Sequence, residues 1–252
     1  MKKKTKTAVK KAPKKKAFTL SCTLKDLLEA GCHFGHLTAK THPRIRPYLY
    51  MAKDKVQVFD LIKTEKRLYK ACLFLHQIAS SGKPIVFVGT KRQARKIIQE
   101  SAKEADVAFV IERWLGGTIT NWREISKRIK KLAGLKKDWE EGKFTKRPKK
   151  EQALIKKEIY RLERFFGGIS DLKELPAAVF VADVNRERSV VLEARRAKIP
   201  LVAIVDSNAD PTLIDYPIPA NDDALKSIKL LVSEITRAIK LGKKTVVKQK
   251  SA

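Results

Sequence analysis

VFVADVNRERSVVLEARRAKIPLVAIVDSNADPTLIDYPIPANDDALKS, residues 179–227, reads as strand, helix, strand, then an acidic, turn-rich loop that opens another helix. The runs at 178–182 and 200–205 are apolar without alternation, as strands covered on both faces of a parallel sheet must be. Working outward, 84–88 (PIVFV) is another such strand, Gly89-Thr90 opens a helix over 91–105, and 107–111 is a short strand closed by the turn RWLGG. Residues 56–59 read as a first strand and 63–80 as a long amphipathic helix. Before them, Thr23 suits the N-cap and Gly31 the C-cap of a short helix, and a loop with His33, His36, His42, Pro43 and Pro47 follows. A last long helix, capped by Asn221 or Asp222, ends near Gly242.

The pattern breaks between 121 and 166, where no strand is legible. Ile125, Ile129, Leu132 and Leu135 recur at helical spacing, as do Leu154, Ile155, Ile159, Leu162 and Phe166, with EEGKFTKRPKK between the two sets. The expected architecture is α/β: a parallel sheet flanked by helices (18–120 and 167–242) with an inserted antiparallel helical hairpin (121–166). A disordered basic arm (1–17) precedes it and a basic tail (243–252) follows.

Charge bounds the function. Lys and Arg number 56 against 27 Asp and Glu, a net +29. Such an excess destabilises a compact monomer by self-repulsion, and phosphate is the commonest counter-charge that relieves it. Nine lysines fall in the first seventeen residues, and Lys243, Lys244, Lys248 and Lys250 close the chain. Three cysteines in apolar surroundings fit a reducing compartment, no apolar run reaches the roughly 18 residues of a membrane helix, and the lysine-rich start lacks a signal-peptide core. A cytoplasmic protein with a polyanionic partner, no membrane and no small-molecule substrate is expected.

Within the fold the candidate nucleic-acid contacts are basic residues in constrained places. Arg44 and Arg46 flank prolines; Lys91, Arg92, Arg95 and Lys96 stand on the first turns of a helix that follows a strand, where amide dipoles also favour phosphate. Arg113 and Trp114 precede Gly116-Gly117, where backbone can approach a ligand, although core packing is the preferred reading of the Trp114 ring. Lys146, Arg147, Lys149 and Lys150 lie at the tip of the hairpin.

Enzymatic readings find less support. VGTKRQARK lacks both G-x-x-x-x-G-K-[ST] and G-x-G-x-x-G, so the glycine geometry of nucleotide loops is absent. Asp183, Asp206 and Asp210 follow two strands and are candidate ligands of a structural divalent ion, or nucleus of a hydrolase site; helix capping and turn formation are the competing and preferred role. Cys32-His33-Phe34-Gly35-His36 carries only part of a zinc spacing. No catalytic residue, resident metal or cofactor is expected.

Six stretches, in order, resemble the family of bacterial small-subunit ribosomal protein S2: GCHFGH at 31–36, FDLIKT at 59–64, FVGTKRQA at 87–94, RWLGGTITNW at 113–122, GGISDLKELPAAVFVADVNRE at 167–187, and EARRAKIPLVAIVDSNADPTLIDYPIPANDDA at 193–224. The resemblance implies a flavodoxin-like sheet with an inserted coiled-coil hairpin, in a non-enzymatic structural protein. It further implies a place on the 30S subunit near the head–body junction, with 16S rRNA, other small-subunit proteins and ribosomal protein S1 as partners. The chain departs from the family where W-N-P-K-M is usual and Thr41-His42-Pro43-Arg44-Ile45 stands here, and where Lys55-Val56-Gln57 replaces glycine-isoleucine-histidine.

Overall fold

A computed structural model describes residues 18–250, with side chains to Thr245. The arm at 1–17 and the side chains of Lys248 and Lys250 therefore lie outside the described residues. Thr23 caps α1 (Leu24–Glu29) in a reciprocal capping box with Asp26, and Gly31, at φ 73°, turns the chain out of it, as expected. The proline-rich segment that reads as a loop is more ordered than that. It contains β1 (Phe34–Leu37), two 3-10 turns at Thr38–Lys40 and Pro43–Tyr48, and β2 (Leu49–Lys53). With β3 (Val56–Phe59) these form a small antiparallel sheet in the order β1-β3-β2. Strands of four or five residues, one containing Gly35, are too short to display a period, so only pairing reveals them.

Asp60 caps α2 (Leu61–Ser80), accepting from the Ile62 and Lys63 N–H groups at 3.0 and 3.4 Å. The main sheet follows: β4 (Ile85–Val88), α3 (Arg92–Ala105), β5 (Ala108–Val110), α4 (Trp122–Glu140), α5 (Lys149–Phe166), β6 (Ala178–Val181), α6 (Arg188–Arg196), β7 (Leu201–Val205), β8 (Tyr216–Pro219) and α7 (Leu225–Lys250). All five strands are parallel in the order β5-β4-β6-β7-β8. Numbered within this sheet the order is 2-1-3-4-5, that of a flavodoxin-like doubly wound fold, with its reversal between β4 and β6. β8 replaces part of the expected acidic loop. Pro217 and Pro219 hide it in the sequence, and they are tolerated because β8 is an edge strand with no second neighbour to receive their missing N–H groups.

Strand alternation divides the core into two layers. Ile85, Phe87, Ala178, Phe180, Val202 and Ile204 meet α2, α3 and α7; Val86, Val88, Val179, Val181, Ala203 and Val205 meet α6, the 114–119 segment and the base of α4 and α5. The second layer takes Ile125, Ile129 and Leu132 from α4 and Leu162 and Phe166 from α5. Farther out the two helices bury less: Leu154, expected on the apolar seam, is 61% exposed. Lys131–Glu158 and Lys136–Glu163 pairs at 3.3 and 2.7 Å tie them together there.

The final helix does not stop near Gly242. It continues to Lys250, and Gly242 serves another purpose: a β-carbon there would stand 2.5 Å from the His76 carbonyl oxygen. The glycine is the place where α7 touches the backbone of α2, not a C-cap.

Candidate functional site

The reversal between β4 and β6 opens the crevice in which doubly wound sheets bind ligands. Here the protein fills it with its own side chains. Lys91, the N-cap residue of α3, directs its ammonium to Asp222 (2.6 Å), Asp223 (2.8 Å) and Asp183 (3.3 Å). Burial works against its charge, but hydrogen bonds to Asp222 and Asp223 outweigh it and hold the lysine above its ordinary range. Lys91 is therefore a caged structural cation, contrary to the expectation that it faces phosphate alongside Arg92. Burial, with Asp183 and Asp206 nearby, pushes the Asp222 carboxyl up to about 7. His36 closes the cluster through Nδ1 to Asp206 (3.1 Å) and Nε2 to Asp223 (3.4 Å), and the Asp206 hydrogen bond raises its pKa.

Asp183, Asp206 and Asp210 do not form one ligand set. Asp183 accepts the Arg186 N–H at 2.9 Å beside Lys91, Asp206 accepts the Asp222 N–H at 3.3 Å, and Asp210 turns away to Arg44 (3.0 Å) and the Thr212 N–H. Turn formation and capping account for all three. Among the described residues the group whose ligand atoms lie within 4.8 Å of one another is His36, Asp206 and Asp223. Lys91 already supplies the cation against Asp223, so the donor set is that of an internal ion-pair network.

Thr90 links this crevice to a basic rim. Its N–H donates to Glu187 at 2.9 Å, its hydroxyl accepts from Arg186 Nε at 3.1 Å, and its carbonyl accepts from Arg95 Nε at 2.9 Å. Arg95 also faces Glu112 at 3.7 Å, Lys96 is exposed beside Glu100, and Arg92 is exposed with no ion pair among the described residues.

The RWLGG turn owes its shape to a residue that sequence reading overlooked. Glu193, on the inward face of α6, accepts from Trp114 Nε1 (3.1 Å), Gly117 N–H (2.8 Å) and Ile119 N–H (3.0 Å). Trp114 is 7% exposed, which removes it from the stacking candidates and agrees with core packing. Arg113 and Gly116 remain exposed beside it, and Gly117 takes φ 89°. Helical spacing alone did not mark Glu193, which stands three residues from buried Val190 on one side and three from exposed Arg196 on the other. An inward carboxylate implies donors elsewhere, but one chain gives no indication of which.

The other candidates are surface groups. Arg46, Lys146, Lys149 and Lys150 are exposed; Arg44 is tied to Asp210, and Arg147 stands over the Phe144 ring at 5.3 Å with Glu151 at 3.7 Å. Lys149 and Lys150 begin α5, where the helix dipole disfavours cations and favours anions. Among the described residues no helix is long and apolar enough to cross a membrane. A family model of ribosomal protein S2 matches residues 27–242, a span that takes in the sheet, α4 and α5 alike.

Proposed function

The chain belongs to the ribosomal protein S2 family, structural proteins of the ribosome that act in translation, and from this premise we propose that it binds 16S rRNA on the 30S subunit. The proposed place is near the junction of head and body, with neighbouring small-subunit proteins and S1 as protein partners, in the cytoplasm. The observation that carries this reading is where the charge lies. Arg46, Arg92, Arg113, Lys146, Lys149 and Lys150 are exposed and carry no carboxylate partner among the described residues. They are spread over the 3-10 turn Pro43–Tyr48, the carboxyl rim of the sheet, and the turn between α4 and α5 with the first residues of α5. Such a distribution suits a folded RNA surface that presents phosphates at several points, and the α4–α5 hairpin acts as a coiled-coil arm that fixes orientation.

The same crevice supports a non-enzymatic role. Of the acids that a hydrolase would use, Asp183 is paired with Lys91, Asp206 with His36 and Asp210 with Arg44, so each is engaged in an internal contact. The experiment is sedimentation of a tagged full-length copy from lysate with magnesium present, with RNA recovered from each fraction. Migration with the small subunit near one copy per 16S rRNA, lost on magnesium chelation, is the expected result. A protein that sediments free while intact subunits run elsewhere in the gradient refutes the reading.

A further inference from the structure

We propose that the outward face of α6, carrying Arg188, Arg195 and Arg196, is a docking face for RNA phosphates. This rests on the ribosomal reading above and assigns a surface outside the basic residues singled out so far. Residues 185–198 hold five cations, Arg186, Arg188, Arg195, Arg196 and Lys198, and two acids, Glu187 and Glu193. Both acids are turned inward. Glu187, 3% exposed, takes the Thr90 N–H, and Glu193, 8% exposed, takes the donors of the 114–119 segment. The acids that would neutralise the arginines are thus spent inside, and Arg188, Arg195, Arg196 and Lys198 are exposed without an ion pair among the described residues.

Helical spacing aligns the three arginines. Positions i, i+7 and i+8 share one stripe, opposite Val190, Val191 and Ala194 in the core, and Leu192 lies on that stripe at 44% exposure. At 1.5 Å per residue Arg188 and Arg195 are roughly 10 Å apart along the axis, and each planar guanidinium matches a phosphate bidentately. Dipole compensation alone does not explain the pattern. It favours Arg195 and Arg196 in the last turn, but Arg188 is the first helical residue and the first turn contains no acid. A charge placed against its own helix dipole is relieved by an external anion.

The test titrates four full-length proteins with 16S rRNA from about 50 to about 200 mM salt: the parent, R188Q/R195Q/R196Q, R188K/R195K/R196K, and a control, K66Q/K226Q/K229Q. The control removes equal charge from exposed lysines of α2 and α7, on the opposite layer. Thermal midpoints should agree, because every altered side chain is exposed. The glutamine variant is expected to lose about 2 from the log–log salt slope, at roughly 0.7–0.9 per phosphate contact. The lysine variant should keep the slope with weaker affinity, and the control should lose less than one contact. Unchanged affinity and slope in the glutamine variant overturn the assignment while parent binding, and with it the ribosomal reading, stands. Equal losses in variant and control overturn it too, since they report net charge only. Poor incorporation into subunits with unchanged RNA titration gives the face to an acidic protein neighbour and overturns the RNA assignment. A parent that binds no RNA removes the reading beneath it.

Discussion

Lys91 illustrates how one side chain changes meaning once its surroundings are known. In the sequence it belongs to a run of four cations on a helix start; in the fold its ammonium holds three carboxylates together. Lys91→Met would leave those acids facing one another without compensation, and removing one partner of a buried ion pair costs about 3–5 kcal/mol. Urea unfolding of Lys91→Met should show that loss, whereas Arg92→Met should stay within about 0.5 kcal/mol of the parent, as surface changes do. Equal effects would mean that the cage contributes nothing. Asp222 and His36 add a pH dependence. Both bind protons more tightly folded than unfolded, so their contribution is complete below 3.8 for Asp222 and below 6.5 for His36. It is lost as pH rises through about 7 for Asp222 and through the raised value of His36. These two groups should lower the urea midpoint as pH rises between 4 and 8, against an opposing rise from His33 and His76, whose pKa values burial lowers. Asp222→Asn should remove the part of the fall below 7 that Asp222 supplies. A parallel curve for the variant would exclude Asp222 as its source. The basic character of this region was legible residue by residue. Its division into caged Lys91, bonded Arg95 and free Arg92 was not. The acids that cage Lys91 lie about 90 to 130 positions away in the chain, and the Glu112 that faces Arg95 is brought to it only by the packing of α3 against β5.

At the scale of elements, the buried parallel strands announce themselves because continuous apolar runs bounded by glycine, proline or aspartate have few other readings. The elements that escaped are those stabilised by neighbours: β1 and β2 by pairing with β3, and β8 by its place at the sheet edge. Gly242 makes the same point for helices. Glycine late in a helical pattern ordinarily marks the end, yet here it lets α7 lie against the backbone at His76. Gly242→Ala would raise helix propensity and still destabilise, by about 1–3 kcal/mol, the usual cost of forcing a group into a filled contact. A higher thermal midpoint for Gly242→Ala would show instead that the α2–α7 contact has room to spare.

For the whole molecule, the net charge of +29 is the property that the fold leaves unneutralised. Deletion of residues 1–17 removes nine lysines and should lower the salt slope of 16S rRNA binding by roughly 0.7–0.9 for each phosphate those lysines engage. A slope identical to the parent's would leave the arm as solvated charge. By itself the sequence determined the α/β class, the polyanionic partner and the family, because hydrophobic periodicity, charge excess and an ordered set of motifs are all local or additive properties of a chain. Only the tertiary structure decided which cations are available. It turned Lys91 inward, buried Trp114 over Glu193, and directed Glu187 and Glu193 away from the arginines beside them. Those choices depend on contacts between distant segments, where desolvation and ion pairing select a partner that no neighbouring residue specifies.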